Sequence, residues 1–166
     1  MKTLSNEEIK QLCESIVAKV KKKDALYGAY MDTMLLLGLR VSEVTEVERW
    51  RKISEDHYSV RLQKSNQERI VNINELSSLY NQCLLQEMKG SWYCYNRKLE
   101  RLFRENSPYR YIKTGNRKIN NHLFRHNFVK QLYWVQGLTV TEIMNITKHN
   151  SELSVFNYTN SKILVL

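Results

Sequence analysis

Apolar residues recur three and four positions apart through the first part of the chain, which is the spacing of one face of a helix. Ser5 and Glu8 form a capping-box pattern just before this run and mark where the helix begins. A first helix is therefore expected from about Asn6 to Lys21. The run KVKKKD, from Lys19 to Asp24, favours an end there, because cations are stabilising at the negative end of a helix dipole.

The next stretch, from Ala25 to Leu37, is mostly apolar and predicts a second, largely buried helix. Gly38 follows it, and a residue without a side chain suits the left-handed cap that ends many helices. Ser42 is then expected to cap a short third helix that runs to about Val47. The chain should therefore turn tightly between these two helices.

From His57 the apolar positions change from helical spacing to alternation. They flank a polar turn of sequence QKSNQER, with Tyr58, Val60 and Leu62 before it and Ile70, Val71 and Ile73 after it. This pattern predicts a β-hairpin, with Lys64 where the first strand meets the turn. A lysine at such a place is usually solvated, and Arg61 and Arg69 are neighbouring cations that could act in its place.

Two further helices are expected, from Asn74 to Gln86 and from Ser91 to Arg104. Their predicted core positions are Leu76, Leu79, Tyr80 and Cys83 in the first, and Tyr95, Leu99, Leu102 and Phe103 in the second. The segment from Ser107 to Lys118 holds the only proline and predicts a loop. Its cations suit phosphate contacts, and a solvated loop fits equally well. The candidate DNA-binding residues in this loop are Arg110, Lys113, Arg117 and Lys118.

Helical spacing returns with the sequence HLFRH and continues to about Gln136, after which Gly137 is expected to end the helix. Its predicted apolar side consists of Phe124, Phe128, Leu132 and Val135. Thr139 and Glu142 form a second capping box, which predicts another helix.

His149 and Tyr158 are nine residues apart and would face opposite sides of one unbroken helix. Asn150 and Ser151 are capping residues and predict a break between them. A fresh helix would then bring the tyrosine back towards the histidines. The run from Ile163 to Leu166 is apolar and strand-like, so it is expected to dock on protein rather than remain in water.

Length and composition fit one globular domain over residues 1–166, mainly α with a small antiparallel β-sheet, because 42% of the residues are hydrophobic. The 26 Lys and Arg exceed the 17 Asp and Glu, giving a net charge of +9. Such a charge is typical of proteins that bind a polyanion, although a merely basic surface would show it too.

The three cysteines form no CxxC pair, so neither a disulfide framework nor a zinc site is indicated, and a reducing cytoplasm fits. No apolar run approaches the roughly 20 residues of a membrane helix, and the chain starts without the apolar core of a signal peptide. Phosphate-binding glycine loops and the GxSxG elbow are absent, which argues against ATP hydrolysis and acyl transfer.

His122, Arg125 and His126 share one face of the predicted helix, because residues three and four apart are neighbours on a helix surface. Burying such a cation without an anion is expensive, and an incoming phosphate would be that anion. A metal site is the other interpretation. The motif lacks a carboxylate or cysteine partner at ligand spacing, and its arginine would repel a metal ion.

The pattern HxxRH, then a histidine and a tyrosine nine residues after it, resembles the tyrosine recombinase (phage integrase) family. GLRVSEV is similar to the family's first-arginine motif, and Lys64 matches its hairpin lysine. The resemblance implies a catalytic set of Arg40, Lys64, His122, Arg125, His149 and Tyr158, with Glu43 and His126 in support. It covers nearly the whole chain as a catalytic domain, and no amino-terminal core-binding domain is expected within it.

This resemblance implies cleavage and rejoining of double-stranded DNA through a 3′-phosphotyrosine, for site-specific recombination. Tyr158 would be the nucleophile, His122 would accept its proton and Lys64 would protonate the leaving 5′ oxygen. Arg40, Arg125 and His149 would contact the non-bridging oxygens. The resemblance implies that neither a metal ion nor ATP is needed as a cofactor. It also implies a cytoplasmic, nucleoid-associated protein that self-associates on DNA as a dimer or tetramer. The tail is expected to dock on its own domain or on a neighbouring protomer.

Two positions depart from the family's pattern. Lys148 stands where the family commonly has glycine, and Phe124 replaces a usual leucine. Two alternative functions stay open, a non-catalytic DNA-binding regulator with the same fold and a strand-relaxing enzyme like a type IB topoisomerase. Strand exchange between two DNA sites would separate the recombinase from the topoisomerase.

Overall fold

The computed structural model describes residues 1–85 and 96–166. The helices are α1 (Asn6–Lys23), α2 (Ala25–Leu37), α3 (Val41–Thr45), α4 (Ser78–Leu85), α5 (Asn96–Asn106), α6 (His122–Lys130), α7 (Val140–Thr147) and α8 (Glu152–Thr159). The strands are β1 (Lys2–Thr3), β2 (Trp50–Lys52), β3 (His57–Arg61), β4 (Glu68–Asn72), β5 (Ile112–Thr114), β6 (Arg117–Lys118) and β7 (Ile163–Val165). This mainly α chain with small antiparallel sheets confirms the predicted fold class.

The first two helices begin and end close to where the sequence predicts. The capping box of Ser5 and Glu8 is formed at the start of α1, and the side chain of Asp24 caps α2. Gly38 ends α2 in the left-handed conformation, with φ of 67°. A Cβ at this glycine would lie 2.3 Å from the Phe128 ring, so both its backbone and its close packing require glycine.

The start of α3 differs from the prediction. The helix begins at Val41 and ends at Thr45, so Ser42 lies inside it rather than at its cap. The Glu43 carboxylate accepts the backbone N–H of Arg40 at 2.7 Å and takes the place of the predicted serine cap. The Ser42 hydroxyl instead donates to the Gln63 side chain.

The predicted hairpin forms part of a three-stranded antiparallel sheet in the order β2-β3-β4, whose first strand was not predicted. Strand β3 ends at Arg61, so Lys64 lies within the turn rather than at its edge. On β4, burial does not follow the apolar pattern at two positions. Ile70 is 65% exposed, whereas Arg69 is buried and donates to the carbonyl of Leu37.

The first of the next two helices begins later than predicted. A 3-10 turn at Ile73–Glu75 precedes α4, which begins only at Ser78, where the Ser77 hydroxyl accepts the N–H of Tyr80. Helix α5 extends to Asn106. The predictions for Gln86 and for the stretch from Ser91 to Tyr95, which includes Cys94, fall outside the described residues.

The segment predicted as a loop contains two strands instead. Strands β5 and β6 pair with each other, and together with the chain ends they form a four-stranded antiparallel sheet in the order β1-β7-β5-β6. Ile112 is buried on β5. The strand was not predicted because it is short and its neighbours in the sequence are mostly charged or polar. The apolar tail forms β7 in the middle of this sheet, so it docks on its own domain.

After α6 the helix continues as one π-helical turn over Gln131–Val135, which ends just before Gly137 as predicted. The wider turn leaves Val135 65% exposed, so its predicted burial is wrong. The second capping box forms at the start of α7, and Ser151 caps α8. The break between them is therefore confirmed. None of the described helices is long and apolar enough to cross a membrane.

Two apolar clusters hold these elements together. The larger one includes buried side chains of α1, α2, α5, α6 and both sheets. The smaller one consists of Val129, Leu132, Ile143 and Val155, with Tyr158 packed against it. Burial of Val155 fixes the roll of α8 and turns the side chain of Tyr158 towards α6.

Replacing Lys148 with glycine is expected to stabilise the domain. Lys148 caps α7 in the left-handed conformation at φ of 58°, which glycine adopts without strain. After allowing for the larger backbone entropy of glycine, we expect a gain of about 0.5–1 kcal/mol, or roughly 1–4 °C in Tm. Asn66, at φ of 53°, is the matched control. Asparagine tolerates this backbone region, so Asn66→Gly should raise the melting temperature by less. A melting temperature of Lys148→Gly that is equal to or lower than that of the original chain would contradict the prediction.

Candidate active site

A cleft of about 590 Å³ lies where α6, α8, the β3–β4 turn and the β5–β6 hairpin meet. Its lining is rich in polar and basic side chains. It consists of Arg40, Lys64, Thr114, Arg117, Lys118, Ile119, Asn120, His122, His126, His149, Ser154, Asn157, Tyr158 and Ser161. Of the six residues in the predicted catalytic set, five therefore line one cleft, and Arg125 lies behind it.

Tyr158 and His122 contact each other directly. The tyrosine hydroxyl lies 2.8 Å from Nε2 of His122. Burial, together with the positive charge of Arg125, lowers the pKa of His122 to about 4, so the ring is neutral near pH 7. In the tautomer of the neutral ring that carries its proton on Nδ1, Nε2 accepts a hydrogen bond from the tyrosine hydroxyl. This geometry suits proton transfer from tyrosine to histidine.

Arg125 is 3% exposed and forms the floor beneath the tyrosine. Its Nη1 donates to the carbonyl of Gly38 at 2.6 Å, and its Nη2 lies 2.9 Å from Nε2 of His149. The guanidinium carbon is 5.5 Å from the centre of the Tyr158 ring. Its buried Nε has no hydrogen-bond partner, which leaves one donor of this cation unused.

His149 is held in one tautomer by its neighbours. The Thr147 hydroxyl donates to the carbonyl of Ile143 at 2.9 Å, so its oxygen accepts from Nδ1–H of His149, at 2.5 Å. The Nε2 atom then accepts from Arg125. Burial and the positive charges of Arg125 and Arg40 lower the pKa of His149 to about 3. In this arrangement the ring is neutral and has no donor directed to the cleft.

Glu43 organises the opposite wall. Its buried carboxylate accepts the backbone N–H of Arg40, contacts that guanidinium at 3.5 Å and accepts the backbone N–H of Gln63 at 2.9 Å. The Gln67 side chain, on the far side of the turn, donates to Asn150 at 3.3 Å. One carboxylate therefore fixes both the first arginine and the turn that carries the lysine.

Lys64 is exposed and lines the cleft, as its predicted role requires. The two alternative cations do not line it. Arg69 turns inward, where its guanidinium carbon lies 5.5 Å from the centre of the Phe128 ring and burial lowers its pKa to about 10. Arg61 is exposed on the outer side of β3.

The four candidate DNA-binding residues do not lie together. Arg117 and Lys118 line the cleft from the β5–β6 hairpin. Arg110 lines a neighbouring cavity of about 190 Å³, and its guanidinium carbon lies 5.3 Å from the centre of the Tyr111 ring. Lys113 pairs with Lys118 across the hairpin and lines neither cavity. The structure therefore brings only the first two beside the tyrosine.

His126 contacts the tyrosine from below, with ring centres 4.7 Å apart. Its Nδ1 lies 2.9 Å from the hydroxyl of Ser161, and that hydroxyl is 2.9 Å from the carbonyl of Tyr158. Burial lowers the pKa of His126 to about 3. His126 therefore contacts the backbone at the end of α8 through the Ser161 hydroxyl.

Several cleft residues were not predicted. Asn120, Ser154, Asn157 and Ser161 line the cleft, and none belongs to a motif that spacing alone would reveal. Lys130 also lies close, buried one turn after His126. Its position four residues after His126 places it on the same helix face, so the sequence could have predicted that it lies near the cleft. Within residues 1–85 and 96–166, no group of three His, Cys, Asp or Glu side chains is placed to hold a metal ion.

Comparison with solved structures finds several similar chains. XerH site-specific recombinase bound to palindromic difH substrate, in a post-cleavage complex, is 19% identical over 96% of this chain and 50% of its own, with a TM-score of 0.59. XerA recombinase is 22% identical over 95% and 59%, with a TM-score of 0.57. A lambda integrase dimer bound to a COC' core site is 16% identical over 96% and 59%, with a TM-score of 0.59.

At these identities the likeness establishes a shared fold. The chain spans 50% to 59% of the length of the chains in these three structures. A comparison with curated protein sequences gives no significant match. The model of the phage integrase family matches residues 2–163, which include every residue of the predicted catalytic set. The chain therefore belongs to the phage integrase family.

Proposed function

We propose that this chain is the single catalytic domain of a site-specific DNA recombinase. One observation carries the proposal. The hydroxyl of Tyr158 lies 2.8 Å from a neutral histidine in a cleft lined by Arg40, Lys64, Arg117 and Lys118. An adjacent proton acceptor can activate a tyrosine as a nucleophile, and the surrounding cations attract a phosphodiester.

In the first step, Oη of Tyr158 attacks the phosphorus of a DNA backbone phosphate while its proton passes to Nε2 of His122. The bond between phosphorus and the 5′ oxygen breaks, and that oxygen takes a proton from Nζ of Lys64. The products are a 3′-phosphotyrosine and a free 5′-hydroxyl. A 5′-hydroxyl from another strand rejoins the DNA by the reverse reaction. Bond energy is conserved in the phosphotyrosine, so the scheme requires neither ATP nor a metal ion.

Negative charge grows on the two non-bridging oxygens as the phosphorus becomes five-coordinate, and fixed positive groups stabilise it. Arg40 reaches the cleft and is oriented by Glu43. Arg125 has an unpaired Nε and reaches the phosphate once its Nη2 turns from His149. His149 then donates from Nε2 after protonation, which a bound phosphate favours by raising its pKa.

Double-stranded DNA is the proposed partner, and the net charge of +9 supports it. The XerH and lambda integrase structures contain those proteins bound to DNA, and the latter is a dimer. Strand exchange requires two DNA sites and more than one tyrosine. We therefore propose self-association on DNA, as a dimer or tetramer, in the cytoplasm at the nucleoid.

Replacing Lys64 with alanine is expected to slow cleavage of ordinary DNA by about 100-fold, because an alkoxide leaving group needs a proton as it departs. The variant should recover most of its rate on DNA whose bridging 5′ oxygen is sulfur, since a thiolate leaves without a proton. The measurement is single-turnover cleavage of both substrates. Arg61→Ala, which removes a cation from the same hairpin outside the cleft, is the control. An equally slow rate on both substrates would assign Lys64 to phosphate binding or structure.

The proposed function is tested by covalent capture. The chain is incubated with nicked duplexes of randomised sequence, from which the cut fragment diffuses away and cannot be rejoined. A denaturing gel should show a protein–DNA adduct, and peptide mapping should place it on Tyr158. DNA binding without any adduct would indicate a regulatory protein. Relaxation of supercoiled plasmid without exchange between two sites would indicate a topoisomerase.

A further inference from the structure

Lys130 is a buried cation with no place in the reaction described above. It is 3% exposed and lies one helical turn after His126. Its Nζ lies 2.5 Å from the carbonyl oxygen of Ser161 and 3.4 Å from that of Thr159. Both acceptors belong to the few residues that directly follow Tyr158.

Two further side chains of the same helix face hold this segment. Nε1 of Trp134 donates to the carbonyl of Thr159 at 2.8 Å, and Nδ1 of His126 lies 2.9 Å from the hydroxyl of Ser161. His126, Lys130 and Trp134 are spaced four residues apart. They form a row of donors along α6 and its π-helical extension. We call these three side chains the 158–161 clamp, after the segment that they hold.

The acceptors of Lys130 are carbonyl groups alone. Among the described residues, no carboxylate lies within 4.0 Å of its Nζ. The two carbonyls lie at the carboxyl end of α8, where the helix dipole is negative and favours a cation. Burial nevertheless lowers the pKa of Lys130 to about 8. An apolar side chain would fill this site without the cost of burying a charge, so packing alone does not explain a lysine here.

We propose that Lys130 is a positioning residue that fixes the turn after Tyr158 and thereby holds the tyrosine hydroxyl against His122. The inference rests on the proposed function and deepens it. Tyr158 is the penultimate residue of an eight-residue helix, and the ends of short helices fray. A nucleophile displaced by about 1 Å from its productive geometry loses on the order of 100-fold in rate.

The first arm of the test measures the clamp without catalysis. Lys130→Met keeps the length of the side chain and removes its donors. Backbone amide exchange at Asn160 and Ser161 should become at least 10-fold faster, while the amide of Lys148, at the end of α7, stays unchanged. Unchanged exchange at both clamp amides would overturn the proposal. Lys22→Met, on the exposed surface of α1, is the control for loss of one lysine.

The second arm separates the nucleophile from the rest of the cleft. Hydrogen peroxide supplies a small nucleophile to Tyr158→Phe, and peroxide-dependent cleavage reports on the phosphate-binding groups alone. Lys130→Met should lower tyrosine-dependent cleavage at least 10-fold with DNA affinity unchanged within twofold. In the Tyr158→Phe background, the same change should leave peroxide-dependent cleavage within twofold.

If both reactions slow together, or neither does, the positioning role is overturned. If Lys130→Met fails to fold, Trp134→Phe is used instead, because it removes only one donor at a half-exposed site. It should lower tyrosine-dependent cleavage by a smaller factor and leave peroxide-dependent cleavage unchanged. If the unaltered chain cleaves no DNA, the proposed function fails. The amide-exchange arm then still decides whether Lys130 holds the segment.

Discussion

Replacing Tyr158 with phenylalanine is expected to abolish covalent attachment to DNA. The change removes only the hydroxyl, so the ring still packs 4.7 Å from His126 and over Arg125. No adduct should form on a nicked duplex, even after an incubation at least 1000-fold longer than the original chain needs. A loss of rate of about 1000-fold or more is expected when a catalytic nucleophile is removed. DNA affinity should stay within about twofold, because the phosphate-binding cations remain. Denaturing gels and a binding titration measure these two quantities.

Tyr133→Phe is the matched control, because Tyr133 lies on the neighbouring π-helical turn and outside the cleft. It should retain the full rate of adduct formation. A persistent adduct in Tyr158→Phe would contradict the assignment. Peptide mapping of that adduct to Tyr109, Tyr111 or Tyr133 would identify a different nucleophile.

Replacing Arg40 with alanine is expected to slow cleavage by about 1000-fold, the upper range for losing one preorganised donor to a developing oxyanion. The fold should survive the change. Glu43 keeps the backbone N–H groups of residues 40 and 63 as donors, so its buried carboxylate is not left without partners. Single-turnover cleavage gives the rate, and a thermal melt checks the fold.

Sulfur at the bridging position should not rescue Arg40→Ala, because that arginine acts on the non-bridging oxygens. Arg51→Ala is the control for loss of one positive charge, since Arg51 lies on β2 outside the cleft. Its rate should remain within a few-fold of the original. Rescue of Arg40→Ala by the sulfur substrate would show that this arginine assists the leaving group instead.

Much of the site could be predicted because its residues lie on regular elements with readable spacing. The helix of HLFRH places His122 and His126 on one face, and their ring centres are 5.2 Å apart. The break before α8 was predicted from the capping residues Asn150 and Ser151, and Ser151 caps that helix by accepting the N–H of Ser154. Local rules of helix spacing and capping were sufficient in these places.

Other features depend on contacts between distant parts of the chain. Strands β5 and β6 are three and two residues long, and β5 pairs with a tail that follows some fifty residues later. Such short strands carry no periodic signal of their own. The inward turn of Arg69 and the clamp by Lys130 are set by carbonyl groups of other elements, which a sequence pattern does not display.

The pairing of β7 between β1 and β5 is expected to form late as the domain folds. Lys2 pairs with Val165, so this sheet joins residues at the largest separations along the chain. Closing such a loop costs entropy before its contacts are made, and its residues must first have left the ribosome. Tyr158 lies just before β7. We therefore expect Tyr158 to reach its place in the cleft at a late step of folding. Nascent chains that lack β7 should hold the cations of the cleft before they hold this tyrosine.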